Sequence, residues 1–232
     1  MPIVSIFALV NLFFWGLATW KFYSVYKETK DKKVGYLYKG FFSFSISLVF
    51  LFYAGGITRN LKIIDLIYDV YTFFTIAGQA FLVNITFEIL RWEKIKRIVF
   101  FTLVLAGAVV AIVPTLNMNS AQVSQEGPFV FWEDTRGAFM NTLMGMTMMF
   151  SGLWFFLFFL IKGLAAKDNI VKAKGILMSG GMFFMILLGL VDYIIGPFFG
   201  ILHISLFTVL CGLSAALCFF SAVHYKKTIQ PI

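Results

Sequence analysis

The sequence predicts an all-α fold, a polytopic bundle of seven transmembrane helices with the N-terminus outside and the C-terminus inside, forming one integral membrane domain over residues 1–232. Three observations predict it. Of the 232 residues 60% are hydrophobic and 13% charged, with a mean hydropathy of +0.90, whereas a water-facing domain carries about a quarter charged residues. Seven apolar runs are each long enough to cross a hydrocarbon core of about 30 Å, which takes roughly 20 helical residues. Lys and Arg gather in alternate connections between those runs, as cytoplasmic loops do. The 30 Phe also exclude a disordered chain.

The first helix is expected over 3–22, and with no basic residue before Lys21 it does not read as a cleavable signal. The next three are expected over 38–57, 63–89 and 97–116. The fifth, 138–161, contains Phe155-Phe156-Leu157-Phe158-Phe159-Leu160, apolar on every face, where a barrel strand would alternate. The last two are expected over 175–196 and 200–223, separated by Gly196-Pro197-Phe198-Phe199-Gly200. Helices also satisfy their own backbone groups in lipid.

All but three of the 19 Lys and Arg fall after the first, third, fifth and seventh spans; Arg59, Lys62 and Arg136 are the exceptions. That asymmetry sets the orientation and predicts a cytoplasmic membrane. It also accounts for the net charge of +8 without a nucleic-acid partner; the lysine-rich rim is expected to touch anionic headgroups. The longest outer connection, Asn117 to Gly137, holds Gly127-Pro128, the acids Glu126, Glu133 and Asp134, and Phe129, Phe131 and Trp132. It reads as a short interfacial segment with Trp132 at headgroup depth. The tail from about Tyr225 to Ile232 is short, so output is expected through the inner loops or a protein partner.

Three correspondences suggest an internal duplication: Phe14-Trp15-Gly16-Leu17 with Phe150-Ser151-Gly152-Leu153, Lys30-Asp31 with Lys167-Asp168, and Lys39-Gly40 with Lys174-Gly175. Helices 1–3 and 5–7 would be parallel copies joined by helix 4.

Polar groups at membrane depth mark the candidate site, because ionisable side chains there are costly and line cavities or pair with one another. On helix 3, Asp65, Tyr68, Asp69, Thr72, Thr75, Gln79 and Thr86 fall within an arc of roughly 120°, forming one stripe. Asn84 and Glu88 lie off it, with Glu88 near Arg91 and Trp92. The stripe reads either as interhelical hydrogen bonds that fix the bundle or as the wall of a pocket. Asp192 and Tyr193 near the outer end of helix 6, and His203 at the start of helix 7, are expected at the same depth as Asp65 and Asp69. Such a cluster could take a cation, a proton or an amine. Equally, Asp65 and Asp192 could face water or pair with Arg59, Lys62 and Arg136.

Two rows of methionine, Met140, Met144 and Met148 on helix 5 and Met178, Met182 and Met185 on helix 6, each lie along one helix face. Thioethers favour Cu(I), and Met-x-x-x-Met in a membrane helix resembles copper-uptake proteins; Met also fills irregular core gaps. No metal site and no cofactor are predicted. His203 and His224 stand about 31 Å apart on one helix and cannot share a haem or a zinc. Ser179 and His203 lie toward opposite ends, which excludes a serine protease dyad. Helix 7 has no Lys for a retinal Schiff base. Cys211 and Cys218, two turns apart on one helix, are expected to pack as small apolar residues. Gly107-x-x-x-Ala111, Gly175-x-x-x-Ser179 and Gly212-x-x-x-Ala216 suit close helix contact.

The seven-helix plan with its 3+1+3 repeat resembles the SWEET sugar transporters, which implies a central substrate path. With Lys39-Gly40-Phe41-Phe42 at the start of helix 2, it is also similar to the seven-helix sensory regions that precede histidine kinases or cyclases. That resemblance implies reception outside and output through a partner. The expectation is a non-enzymatic sensor or accessory module whose outward-facing pocket is built from Asp65, Tyr68, Asp69, Thr72, Gln79, Asp192, Tyr193 and His203. The alternatives are a small-solute or cation transporter using the stripe of helix 3, and Cu(I) handling through the methionine rows.

Overall fold

A computed structural model describes residues 3–58, 60–116, 122–126, 129–133, 138–190 and 201–224, with side chains over 5–54, 57–58, 60–113, 142–190 and 206–224. Seven helices, α1 (Ile3–Thr29), α2 (Lys32–Gly56), α3 (Leu61–Leu90), α4 (Glu93–Leu116), α5 (Ala138–Leu164), α6 (Asn169–Leu190) and α7 (Ile201–His224), account for almost all of it. Each is long and apolar enough to cross a membrane, so the chain is a multi-pass membrane protein. The connection between α4 and α5, expected as an interfacial segment, is built around strands. Two strands, β1 (Gln122–Glu126) and β2 (Phe129–Glu133), pair antiparallel there, with Val123 opposite Trp132 and Glu126 opposite Phe129. The ribbon lies beside α1.

Helix ends differ from expectation in one direction at the α1–α2, α3–α4 and α5–α6 connections, called here the basic end. α1 runs seven residues past the expected Phe22, and α2, α4 and α6 start four to six residues early. The hydrocarbon core limits where apolar residues are needed, whereas helical hydrogen bonding continues into the headgroup region, where Lys27 and Lys172 are accommodated. Side chains set where helices begin. Asp31 accepts from Lys33 N at 2.8 Å, Asn60 from Lys62 N at 3.1 Å, and Asp168 from Ile170 N at 2.7 Å and Val171 N at 3.0 Å. These caps satisfy donors that the first helical turn leaves orphaned. Asp31 and Asp168 are the pair matched by the internal correspondence, and each caps the second helix of its half.

Neighbour contacts arrange six helices as a closed ring in the order α1, α2, α3, α5, α6, α7, with α7 returning to α1. α4 packs outside the ring against α3 and α5. Burial agrees: 67% of the apolar span of α3 is enclosed, against 17% for α4. The order of neighbours within α1–α2–α3 is repeated in α5–α6–α7, and the joins α3·α5 and α7·α1 correspond.

The ring is filled, toward its basic half, by aromatic side chains from four helices. Phe41 on α2 stacks on Trp15 of α1 at 4.9 Å and meets Phe219 of α7 edge-on at 5.2 Å; Phe219 in turn meets Phe155 of α5 at 6.2 Å. Phe41, Phe155 and Phe219 are completely buried. Offset and edge-to-face contacts of this kind add to the packing that holds membrane helices together. Gly40 brings α2 close to α3, since a Cβ there would stand 2.9 Å from Leu82 and 3.1 Å from the Gly78 carbonyl oxygen. The three small-residue rows all lie at close contacts: Gly107 on Ile76, Gly175 on Gly163 and Gly212 on Asn11.

Candidate functional site on helix 3

α3 sits between α2, α4 and α5, which enclose most of its polar face. Asp65, Asp69, Thr72, Thr75, Gln79 and Thr86 are all buried, Asp69 to 2% exposure. Asp65 and Asp69 are one turn apart on one face, about 6 Å between Cβ atoms, and neither carboxylate is without a partner. Tyr68 is half-buried against Ala54, Ile64 and Ile67 and lies 6.5 Å from Tyr71.

Toward the basic end the stripe becomes a seam with α5. Gln79 is bonded to Ser151, whose hydroxyl donates to Gln79 Oε1 and lies 2.7 Å from the Thr147 carbonyl oxygen. One turn of α5 further on, Trp154 Nε1 donates to Thr86 Oγ1 at 2.8 Å, while Thr86 donates to the Val83 carbonyl at 2.7 Å. Thr72 and Thr75 likewise donate to carbonyls of their own helix, at 2.9 Å each. Back-bonded hydroxyls of this type satisfy the side chain locally. Between Thr72 and Thr86, threonines that donate to their own helix alternate with two direct bonds to α5, the interhelical alternative raised by the sequence. Ser151→Ala is expected to cost about 1 kcal/mol by leaving Gln79 Oε1 buried without its donor. Ser151→Ala/Gln79→Met should recover most of that loss in detergent unfolding, because it removes the stranded acceptor as well.

Glu88 is not shielded by Arg91 or Trp92, as the sequence suggested, but by Lys96 on α4. Lys96 Nζ is 2.6 Å from Glu88 Oε2 and 2.6 Å from Glu93 Oε2, and it stands 5.7 Å from the Tyr36 ring centre on α2. The α3–α4 turn makes this contact. Arg91 adopts the left-handed conformation at φ 59°, and Trp92 N donates to the Phe87 carbonyl at 3.0 Å, so α4 folds back directly along α3. Asn84, one turn below Glu88, keeps its Oδ1 buried without a hydrogen-bond partner.

Asp192 and Tyr193 lie outside the described residues. His203 falls within α7, and its side chain also lies outside them. The structure thus places Asp65, Asp69, Thr72 and Gln79 along one enclosed face of α3 with Tyr68 half-buried on the same helix, and the contributions expected from α6 and α7 lie outside the described residues. Among the methionines, Met144 and Met148 pack with Ile76 and Val110, while Met178, Met182 and Met185 join the aromatic core. The two rows therefore serve separate clusters. Cys211 and Cys218 are free thiols. No group of three or more His, Cys, Asp and Glu side chains suited to a metal occurs among the described residues. Comparison with protein-family models finds none that matches this chain, and comparison with curated proteins finds no match either.

Proposed function

We propose that the chain is a non-enzymatic sensor or accessory module of the cytoplasmic membrane, oriented with its lysine-rich end inside. In this reading Asp65, Asp69 and Thr72, with Asp192, Tyr193 and His203, receive a cationic or polar ligand from outside, and a protein partner reads the inner connections. One observation carries the preference for reception over transport. Between the acidic end of α3 and the basic end, the ring interior is occupied by Phe41, Phe155 and Phe219, and the stripe is bonded to α5 through Gln79 and Thr86. A site closed on one side suits a ligand that enters and leaves by the same face.

Transport of a small solute or cation is the second reading, and the matching neighbour order of the two three-helix halves favours it. Two measurements separate them. Thiol reagents applied from outside are expected to label Asp69→Cys and spare Gln79→Cys; labelling of Gln79→Cys would extend the accessible path through the seam. Liposomes holding the purified protein are expected to show no solute or cation flux above empty liposomes. Flux that Asp69→Asn abolishes would replace the sensor reading with transport.

A further inference from the structure

A groove of about 360 Å³ runs along the outside of the α1–α2 pair, lined by Gly16, Thr19, Trp20, Tyr23, Tyr38, Phe42 and Ser45. It starts near the middle of α1 and heads toward the basic end, so it occupies one leaflet. The two hydroxyls of its floor are engaged within the helix pair. Those of Thr19 and Ser45 lie 3.0 Å apart and within 2.8 and 2.9 Å of the Trp15 and Phe41 carbonyl oxygens. The walls are aromatic and face outward, Trp20 being 66% exposed. A Cβ added at Gly16 would meet nothing within 4 Å, so no neighbouring helix covers this glycine. The aromatic lining suits an apolar occupant along the groove.

The end of the groove supplies the other half of the recognition. Tyr38 links Phe42 to Tyr23 and Tyr26, at 5.8, 5.1 and 6.4 Å between ring centres, and Lys30 Nζ stands 5.9 Å from the Tyr26 ring. Lys27, one turn beyond Tyr23 on the same face of α1, is exposed. Asp31, the acid nearest Lys30 in sequence, is engaged in capping α2. The order along one helix face is thus vacant apolar space, then tyrosines, then lysines, which matches acyl chain, glycerol ester and phosphate in turn.

We propose that this groove binds one anionic phospholipid of the bilayer, with an acyl chain beside Gly16 and its phosphate between Lys27 and Lys30. Each lysine beside an anionic headgroup is worth about fivefold, and with Glu28 nearby the two together should give a preference of about tenfold. The test is native mass spectrometry of the purified full chain, loaded with phosphatidylglycerol or phosphatidylcholine of identical acyl chains. The wild type is expected to retain one phosphatidylglycerol about ten times more than phosphatidylcholine. Gly16→Leu should lose both lipids, because its side chain fills the groove without meeting a neighbour. Lys27→Gln/Lys30→Gln, which changes only exposed side chains, should keep phosphatidylcholine retention and lose the preference. Equal retention of the two lipids by the wild type, undiminished phosphatidylglycerol on Gly16→Leu, or a dimer that Gly16→Leu dissolves would each overturn the assignment, the last by making a second copy of the chain the occupant.

Discussion

Gly175→Leu is expected to part α5 from α6 and to be among the most damaging single changes in the molecule. A Cβ at position 175 would stand 2.6 Å from the Gly163 Cα, 3.1 Å from Gly163 N and 3.1 Å from the Phe159 carbonyl oxygen. Every obstacle is main chain, so no rotamer of a neighbour can relieve the clash and the helices themselves must separate. Overpacked interiors lose about 1–3 kcal/mol when side chains can yield; here the loss should reach the top of that range or exceed it. Packing is also the main force joining helices in lipid, which removes any compensating hydrophobic gain. Unfolding by titrated denaturing detergent, followed by tryptophan fluorescence, gives the measurement. Gly16→Leu is the matched control and should stay within about 0.5 kcal/mol of wild type, since Leu is a better helix former and nothing lies near its Cβ. A Gly175→Leu protein as stable as that control would mean the α5–α6 approach is looser than described.

Lys96→Met is expected to destabilise by about 3 kcal/mol, because it leaves Glu88 in a largely closed site without its cation. The side chains of Lys96 and Glu88 are only 10% and 14% exposed, so solvent screens the pair less than it would at a surface. Removing both charges should be far milder. Lys96→Met/Glu88→Gln is expected to recover more than half of the loss, since a buried pair contributes little relative to its uncharged counterpart and the expense lies in the unpaired ion. The same unfolding assay reads this cycle. Strictly additive single and double variants would show that the two groups do not interact across the α3–α4 turn.

Seven helices are legible in the sequence because lipid demands about 20 apolar residues per crossing and the chain supplies seven such runs. Their ends are less legible. Hydropathy marks the hydrocarbon, but Asp31, Asn60 and Asp168 fix where α2, α3 and α6 begin by accepting from first-turn amides, and each is readable as a capping residue. The alternating Phe129 and Phe131 after Gly127-Pro128 likewise carried a hairpin signal. On α3 the helical period revealed which face is polar, yet the partners of that face lie on α5, at Ser151 and Trp154, and no period along one helix can name them. Lys96 was hidden for a different reason. Among so many rim lysines it looks ordinary, and only the left-handed turn at Arg91 swings it over Glu88. Asp192, Tyr193 and the side chain of His203 lie outside the described residues, and within those residues the stripe is built from α3 and α5.

The connections at the basic end have a mechanical consequence. α1 and α2 are joined by Lys30 and Asp31 alone, and α3 and α4 by Arg91 and Trp92 alone, each with one residue held in left-handed geometry. A two-residue link leaves little freedom to bend; Asp31 caps the start of α2 at the first, and the Lys96–Glu88 ion pair locks the second. These hairpins can therefore tilt as stiff levers, but they cannot fold or unfold at the elbow. Any displacement of α3 relative to the rest of the bundle must travel by sliding one lever past another, and the surfaces that slide are the joins between hairpins.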